Sequence, residues 1–133
     1  MYSNATLDES RLIGQWNQVG AFGGVGCAPG MAEFTGNSDA LTIAYSLCLS
    51  GQVVSDNGSF SRVGMGRYSA PGLSADLWVL WIDADARTLV LGTPSGEFGF
   101  VLNRGAPLPP DRAKAVREIL DWNGYDLSML TLW

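Results

Sequence analysis

Residues 76–104, DLWVLWIDADARTLVLGTPSGEFGFVLNR, hold three apolar runs of strand length cut by two sets of turn residues, a spacing that suits an antiparallel meander. Leu77–Ile82, 88–91 and 98–102 are the strands; 83–86 and 93–96 are the turns. Strict alternation in the first strand sends Leu77, Val79 and Trp81 to one face and Trp78, Leu80 and Ile82 to the other. Both faces are apolar, so one lines an interior and the other needs a cover. A helix is the expected cover.

At 133 residues, 47% hydrophobic and 16% charged, the chain has room for one core and is expected to form a single domain over residues 1–133. Seventeen glycines and few helix-forming runs place it in the all-β class. The net charge of −5, with eight scattered Lys and Arg, argues against a nucleic-acid partner and an anionic membrane surface, which both need clustered cations. No apolar run approaches the roughly 20 residues that cross a bilayer as a helix. Histidine is absent, which removes Ser/His/Asp and Cys/His arrangements and any His-ligated metal centre. No metal and no cofactor are expected.

Residues 1–10 lack apolar periodicity and read as a flexible lead-in to the strand region over 11–104. Asn4-Ala5-Thr6 matches the glycosylation sequon, a pattern short enough to arise by chance. Residues 12–19 form the first strand. The glycine-rich stretch 20–26, GAFGGVG, is no phosphate loop, because Cys27-Ala28-Pro29-Gly30 follows and cannot open a helix. Residues 31–35 and 40–49 flank Gly36-Asn37-Ser38-Asp39 as a hairpin. With Asn37 and Ser38 as its loop, Phe34 lies opposite Leu41. Phe34, Leu41, Ile43, Tyr45, Leu47 and Leu49 then share one face, and Glu33, Thr35, Thr42, Ala44 and Ser46 the other. The same register sets Cys27 opposite Cys48, close enough for a disulfide. A disulfide implies an oxidising compartment, and MYSNATLDES has no signal pattern, so a signal or lipid anchor is expected ahead of this sequence.

Residues 52–56 and 59–69 flank Asn57-Gly58, which reads as a second hairpin, and Gly64 and Gly66 mark a bend. After a linker over 105–109, Pro110 and Asp111 open a helix over 110–123 that Asn123-Gly124 stops. Ala113, Val116, Ile119 and Leu120 form its apolar stripe, and Arg112, Lys114, Arg117 and Glu118 its wet side. The tail, 124–133, suits a last short strand along a sheet edge.

These pieces, with Gly14-Gln15-Trp16 on the opening strand, together resemble the lipocalins, specifically the bacterial outer-membrane lipocalins and their apolipoprotein D relatives. The resemblance also rests on Trp78-Val79-Leu80-Trp81-Ile82-Asp83, Gly92-Thr93-Pro94, Val101-Leu102-Asn103-Arg104 and Gly124-Tyr125-Asp126. It implies an up-and-down antiparallel β-barrel of about eight strands with one C-terminal helix packed outside. It further implies that Trp16 plugs the closed end with Arg104 across it, and that Cys27 and Cys48 are a cysteine pair of the bacterial relatives. Two features depart from the family pattern. The acid-Tyr-Arg signature appears as Asp83-Ala84-Asp85-Ala86-Arg87, and the short 71–74 leaves one strand short or missing.

The implied function is non-catalytic carriage of a fatty acid, lysophospholipid or similar small apolar ligand. Phe34, Leu41, Ile43, Tyr45, Leu47, Val79, Trp81, Phe98 and Phe100 are the candidate lining, and Arg62, Arg67 and Tyr68 the candidate headgroup contacts at the mouth. The same apolar residues could equally fill the barrel as a core. An enzyme is disfavoured, because Asp76, Asp83, Asp85 and Glu97 sit at turns and the cysteines pair with each other. The alternative function is a rigid barrel that docks on a membrane-associated protein partner or a second copy through Trp122 and Trp133. The resemblance puts the protein in the periplasm or at the outer membrane.

Overall fold

The computed structural model describes residues 8–23, 26–37, 39–94 and 99–133. The sequon, Ser38, Glu97 and Phe98 fall outside these described residues. The chain enters through a short 3₁₀ helix, Glu9–Leu12, then forms β1 (Gly14–Phe22), β2 (Met31–Asn37), β3 (Ala40–Leu49), β4 (Gln52–Ser59) and β5 (Ser61–Gly64). It continues through β6 (Arg67–Ser69), β7 (Leu77–Ile82), β8 (Thr88–Gly92), β9 (Gly99–Asn103), α1 (Pro110–Trp122), a 3₁₀ turn (Leu127–Met129) and β10 (Leu130–Leu132). The ladder runs β4-β3-β2-β1-β9-β8-β7-β6-β5, with β10 joined to β1. Only Phe60 separates β4 from β5, and its N–H still donates to the Leu41 carbonyl at 3.0 Å. The two are halves of one bent strand, so the sheet returns to its own start as a nearly closed antiparallel barrel with one helix outside.

Near-continuous apolar runs require cover on both faces, and the meander has it. Leu77, Val79, Leu89, Leu91, Phe100 and Leu102 join the cluster inside the barrel. Leu80, Val90 and Val101 pack outside with Val116 and Leu120 of α1, each fully buried helix side chain contributing about 2 kcal/mol. The helix ends as its Asn-Gly stop requires. Gly124 takes φ 86°, its N–H donates to Asp121 O at 3.0 Å, and the N–H of Tyr125 donates to Leu120 O at 3.0 Å. A Cβ is strained at that backbone angle, so Gly124→Ala is expected to lower stability by about 1 kcal/mol in urea titration, with native secondary structure retained.

Four local expectations change. The ladder shifts between Val79 and Trp81, so a bulge breaks the alternation of β7. Leu80 and Trp81 both face the helix, Ile82 turns inward, and Trp81 is not a lumen residue. In the β2–β3 hairpin Phe34 faces Ile43 and Asn37 faces Ala40, two residues from the expected register. The cause is Asn37, whose Oδ1 accepts from the N–H groups of Asp39 (2.9 Å) and Ala40 (3.0 Å) and so opens the turn instead of sitting in its middle. A slip of two keeps every side chain on its face. Cys27 is therefore outside the ladder, yet it reaches Cys48 from the loop before β2, with Cα atoms 5.7 Å apart in the disulfide.

Asn57-Gly58 is not a hairpin: β4 runs straight through it, opposite Ala44 and Ile43. The turn into β4 is made instead by Ser50 and Gly51, both left-handed (φ 51° and 78°), which matches the twist of a two-residue hairpin. Finally, the lead-in is not loose at its end. The side chain of Asp8 caps the first 3₁₀ helix by accepting from the Ser10 N–H at 3.1 Å, and Leu12 is fully buried.

Candidate functional site: the barrel interior and its two ends

One end of the barrel is stoppered. Trp16 is completely buried, its Nε1 donates to Leu12 O at 2.8 Å, and the Arg104 guanidinium lies 3.7 Å above the ring centroid. Arg104 donates to three carbonyls: Gln15 (3.1 Å), Arg11 (2.8 Å) and Ala86 (3.4 Å). Gly14 takes φ 116°, a backbone angle strained for any L side chain, and a Cβ there would also stand 2.9 Å from Arg104 Nη1, so glycine suits the position two before the tryptophan. The corner beside it departs from the acid-Tyr-Arg pattern and is held differently. Asp83 Oδ1 accepts from the N–H groups of Arg87 (2.6 Å) and Thr88 (2.8 Å), its Oδ2 lies 3.7 Å from Arg112, and Ala86 adopts φ 52°.

Arg62 and Tyr68 belong to this closed end rather than to the mouth. Glu9, on the first 3₁₀ helix, accepts from the Tyr68 hydroxyl at 2.9 Å and pairs with Arg62 at 3.3 Å. Burial first, then Glu9, pushes the Tyr68 hydroxyl above its ordinary range. A polar hollow of ≈ 510 Å³ lies here, lined by Glu9, Asp39, Thr42, Arg62 and Tyr68. Arg67 points outside, 4.1 Å over Trp78.

Between the ends the inner wall is hydrocarbon and aromatic. Phe34, Leu41, Ile43, Tyr45, Leu47, Val79 and Phe100 are brought into one contiguous cluster with Trp16, Leu89, Leu91 and Leu102. Phe60 packs edge-on to Phe34 at 5.1 Å and stacks on Tyr68 at 4.6 Å. Phe60, Leu77, Leu89, Leu91 and Leu102 escaped the sequence reading. The meander is apolar on both faces, so only the alternation of Leu89 and Leu91 with Thr88 and Val90 could have singled them out.

The side of the barrel along β4 is closed differently. β4 has no strand on its second edge among the described residues; residues 70–76 lie there as an irregular strap. A Cβ on Gly58 would stand 3.2 Å from Pro71 Cβ, so that glycine serves close packing of the strap. The Tyr45 hydroxyl donates to Pro71 O, and Leu73 packs against the inner cluster. Burial, and secondarily the Asp56 carboxylate, hold the Tyr45 hydroxyl above its ordinary range. The Cys27 loop is pinned by Gln18, whose buried amide donates to Cys48 O (2.8 Å) and accepts from the N–H groups of Cys48 (2.8 Å) and Gly30 (3.0 Å).

Two of the sequence motifs meet outside the barrel. A Cβ at Gly92 would collide with the Tyr125 hydroxyl, which donates to Thr93 O at 3.2 Å. Burial pushes that hydroxyl up to about 12. Asp126 next to it accepts from Ser128 N at 3.0 Å and starts the turn that lays β10 along β1.

A barrel stoppered by an indole under a guanidinium, apolar within and covered by one late helix, is the architecture of a small-molecule binding calyx. The profile of the Lipocalin-like domain family matches residues 7–133, and the chain belongs to that family. Lipocalins bind small hydrophobic ligands and are generally not enzymes. The chain is 34% identical over 58 residues to temperature-induced lipocalin-1 of Arabidopsis thaliana, a match covering 44% of this chain and 31% of the plant protein. Among solved structures, the cockroach allergen Per a 4 superposes with a TM-score of 0.75 at 10% identity, covering 99% of this chain and 90% of that one. The bovine allergen Bos d 2 gives 0.70 at 16% identity, covering 95% and 94%.

Proposed function

We propose that the protein carries a small apolar ligand in its barrel without transforming it. The observation that carries this reading is the inner wall: it is apolar from Trp16 to Leu73, stoppered at one end, and covered along the edge of β4 by a strap instead of a strand. A strap that lies outside the strand ladder can yield where a ladder cannot. An interior this apolar suits the hydrocarbon chain of a single-chain lipid. The Cys27–Cys48 disulfide supports an oxidising compartment. With the resemblance to bacterial outer-membrane lipocalins, it supports a periplasmic or outer-membrane location.

The second reading, a rigid docking module, draws on two observations. The inner side chains already touch one another, and Trp122 is 76% exposed beside Leu80 and Ile119. Titration with dodecanoate, dodecylamine and a lysophosphatidylcholine separates the two. Carriage predicts a saturable change near one equivalent for at least one of them, with the complex surviving in native mass spectrometry. The fluorescence part of that change must come from Trp16, the tryptophan packed in the lumen cluster. If none of the three binds and the chain elutes as a dimer, carriage is wrong and docking stands.

A further inference from the structure

We propose that Tyr45 and Asp56, beside the strap, receive the polar end of the ligand and select a protonated amine or hydroxyl over a carboxylate. This rests on the carrier reading and names the chemistry of its ligand. Tyr45 and Asp56 are ladder partners on the inward side of β3 and β4. A Cβ placed on Gly72 would stand 2.9 Å from Tyr45 Oη and 2.7 Å from Asp56 Oδ2, so both groups converge on one point of the strap. Tyr45 is 6% exposed while Asp56 opens to solvent, which puts a buried donor and a wet carboxylate at the edge of an apolar interior.

The strap fills this place as a ligand would. Leu73 offers a hydrocarbon side chain to the lumen cluster, and the Pro71 carbonyl takes the Tyr45 proton. A ligand that displaces the strap must replace both. Its chain takes the position of Leu73, and its head must accept from Tyr45 and donate to Asp56. A hydroxyl does both; an ammonium satisfies Asp56 with charge, and Tyr45 then turns to water. A carboxylate satisfies Tyr45 alone and is repelled by Asp56.

Among the described residues no basic side chain is placed at this point to reverse this. Arg11, Arg87 and Arg104 belong to the stoppered end, Arg62 pairs with Glu9, and Arg67 lies on Trp78 outside the barrel. Arg112, Lys114 and Arg117 are on α1, completing the eight basic residues of the chain. The same inventory disfavours a phosphate head at this position, since a phosphate is held by such cations.

Dodecylamine and dodecanoate share one chain and differ only in the head, so titrating each into the full chain at neutral pH is the test. Dodecylamine is expected to bind about tenfold more tightly, and Asp56→Asn to erase most of that ratio while leaving chain binding in place. Leu73→Ala is expected to melt at lower temperature yet bind dodecylamine about fivefold more tightly, because the strap competes with the ligand. A purely structural leucine would lose stability and affinity together. Equal or tighter binding of dodecanoate, or an unchanged ratio in Asp56→Asn, overturns the proposal and leaves carriage intact. Failure of both probes to bind removes carriage and the proposal with it. Parallel loss of affinity and stability in Leu73→Ala overturns the role of the strap.

Discussion

Trp16→Ala is expected to lose about 4 kcal/mol, the largest loss from any single truncation in the barrel. The indole is wholly buried, its Nε1 holds Leu12 O at 2.8 Å, and its face supports Arg104 at 3.7 Å. Removing it leaves a cavity at the stoppered end and strips a partly buried guanidinium of its platform. Those carbonyl contacts bind the first 3₁₀ helix to β1 and the β7–β8 corner, so the end should open as a unit. Trp16→Phe, which keeps a ring but not the Nε1 donor, should lose about half as much. The urea midpoint reads both, and similar midpoints for the two variants would mean that Arg104 and the cavity matter less than the geometry suggests.

Cys27→Ser with Cys48→Ser is expected to lower stability by about 3 kcal/mol, the chain-entropy value for the 21-residue separation the bond spans. The loss should be largely global, because Gln18 independently fixes both sides of the loop through Gly30 and Cys48. The disulfide-free protein should therefore keep its near-ultraviolet circular dichroism at low temperature and unfold at lower urea. A native midpoint unmoved by reductant would mean that Gln18 alone holds the loop.

The fold was legible where one physical signal dominated. Apolar runs punctuated by turn residues located β7, β8 and β9; Pro110-Asp111 and Asn123-Gly124 bracketed the helix; and Trp16 and Arg104 came from the resemblance, the guanidinium lying 3.7 Å over the indole. The sequence was ambiguous where two uses of one residue type compete. Asn57-Gly58 has the composition of a turn, but its glycine is there so that Pro71 can pass closely. Trp81 follows perfect alternation until a bulge at Leu80 turns it outward, and a bulge leaves no compositional trace when both faces are apolar. Asn37 reads as a loop residue whether it starts the turn or occupies it. Arg62 and Tyr68 were assigned to the wrong end because a strand that crosses a tilted barrel moves along the axis, and their partner Glu9 lies in a segment with no periodicity to announce it.

β1 pairs along one edge with β9, so the first strand of the ring finds a neighbour made well over half a chain later. On a ribosome, which adds residues in order, the greasy side of the early strands must wait for residues 99–103 before the ring can join. Throughout synthesis the half-built wall is an open gutter, sticky to other nascent chains and free to be threaded through a narrow pore. A polypeptide whose late seam completes its shelter stays exposed to aggregation until that seam is sewn.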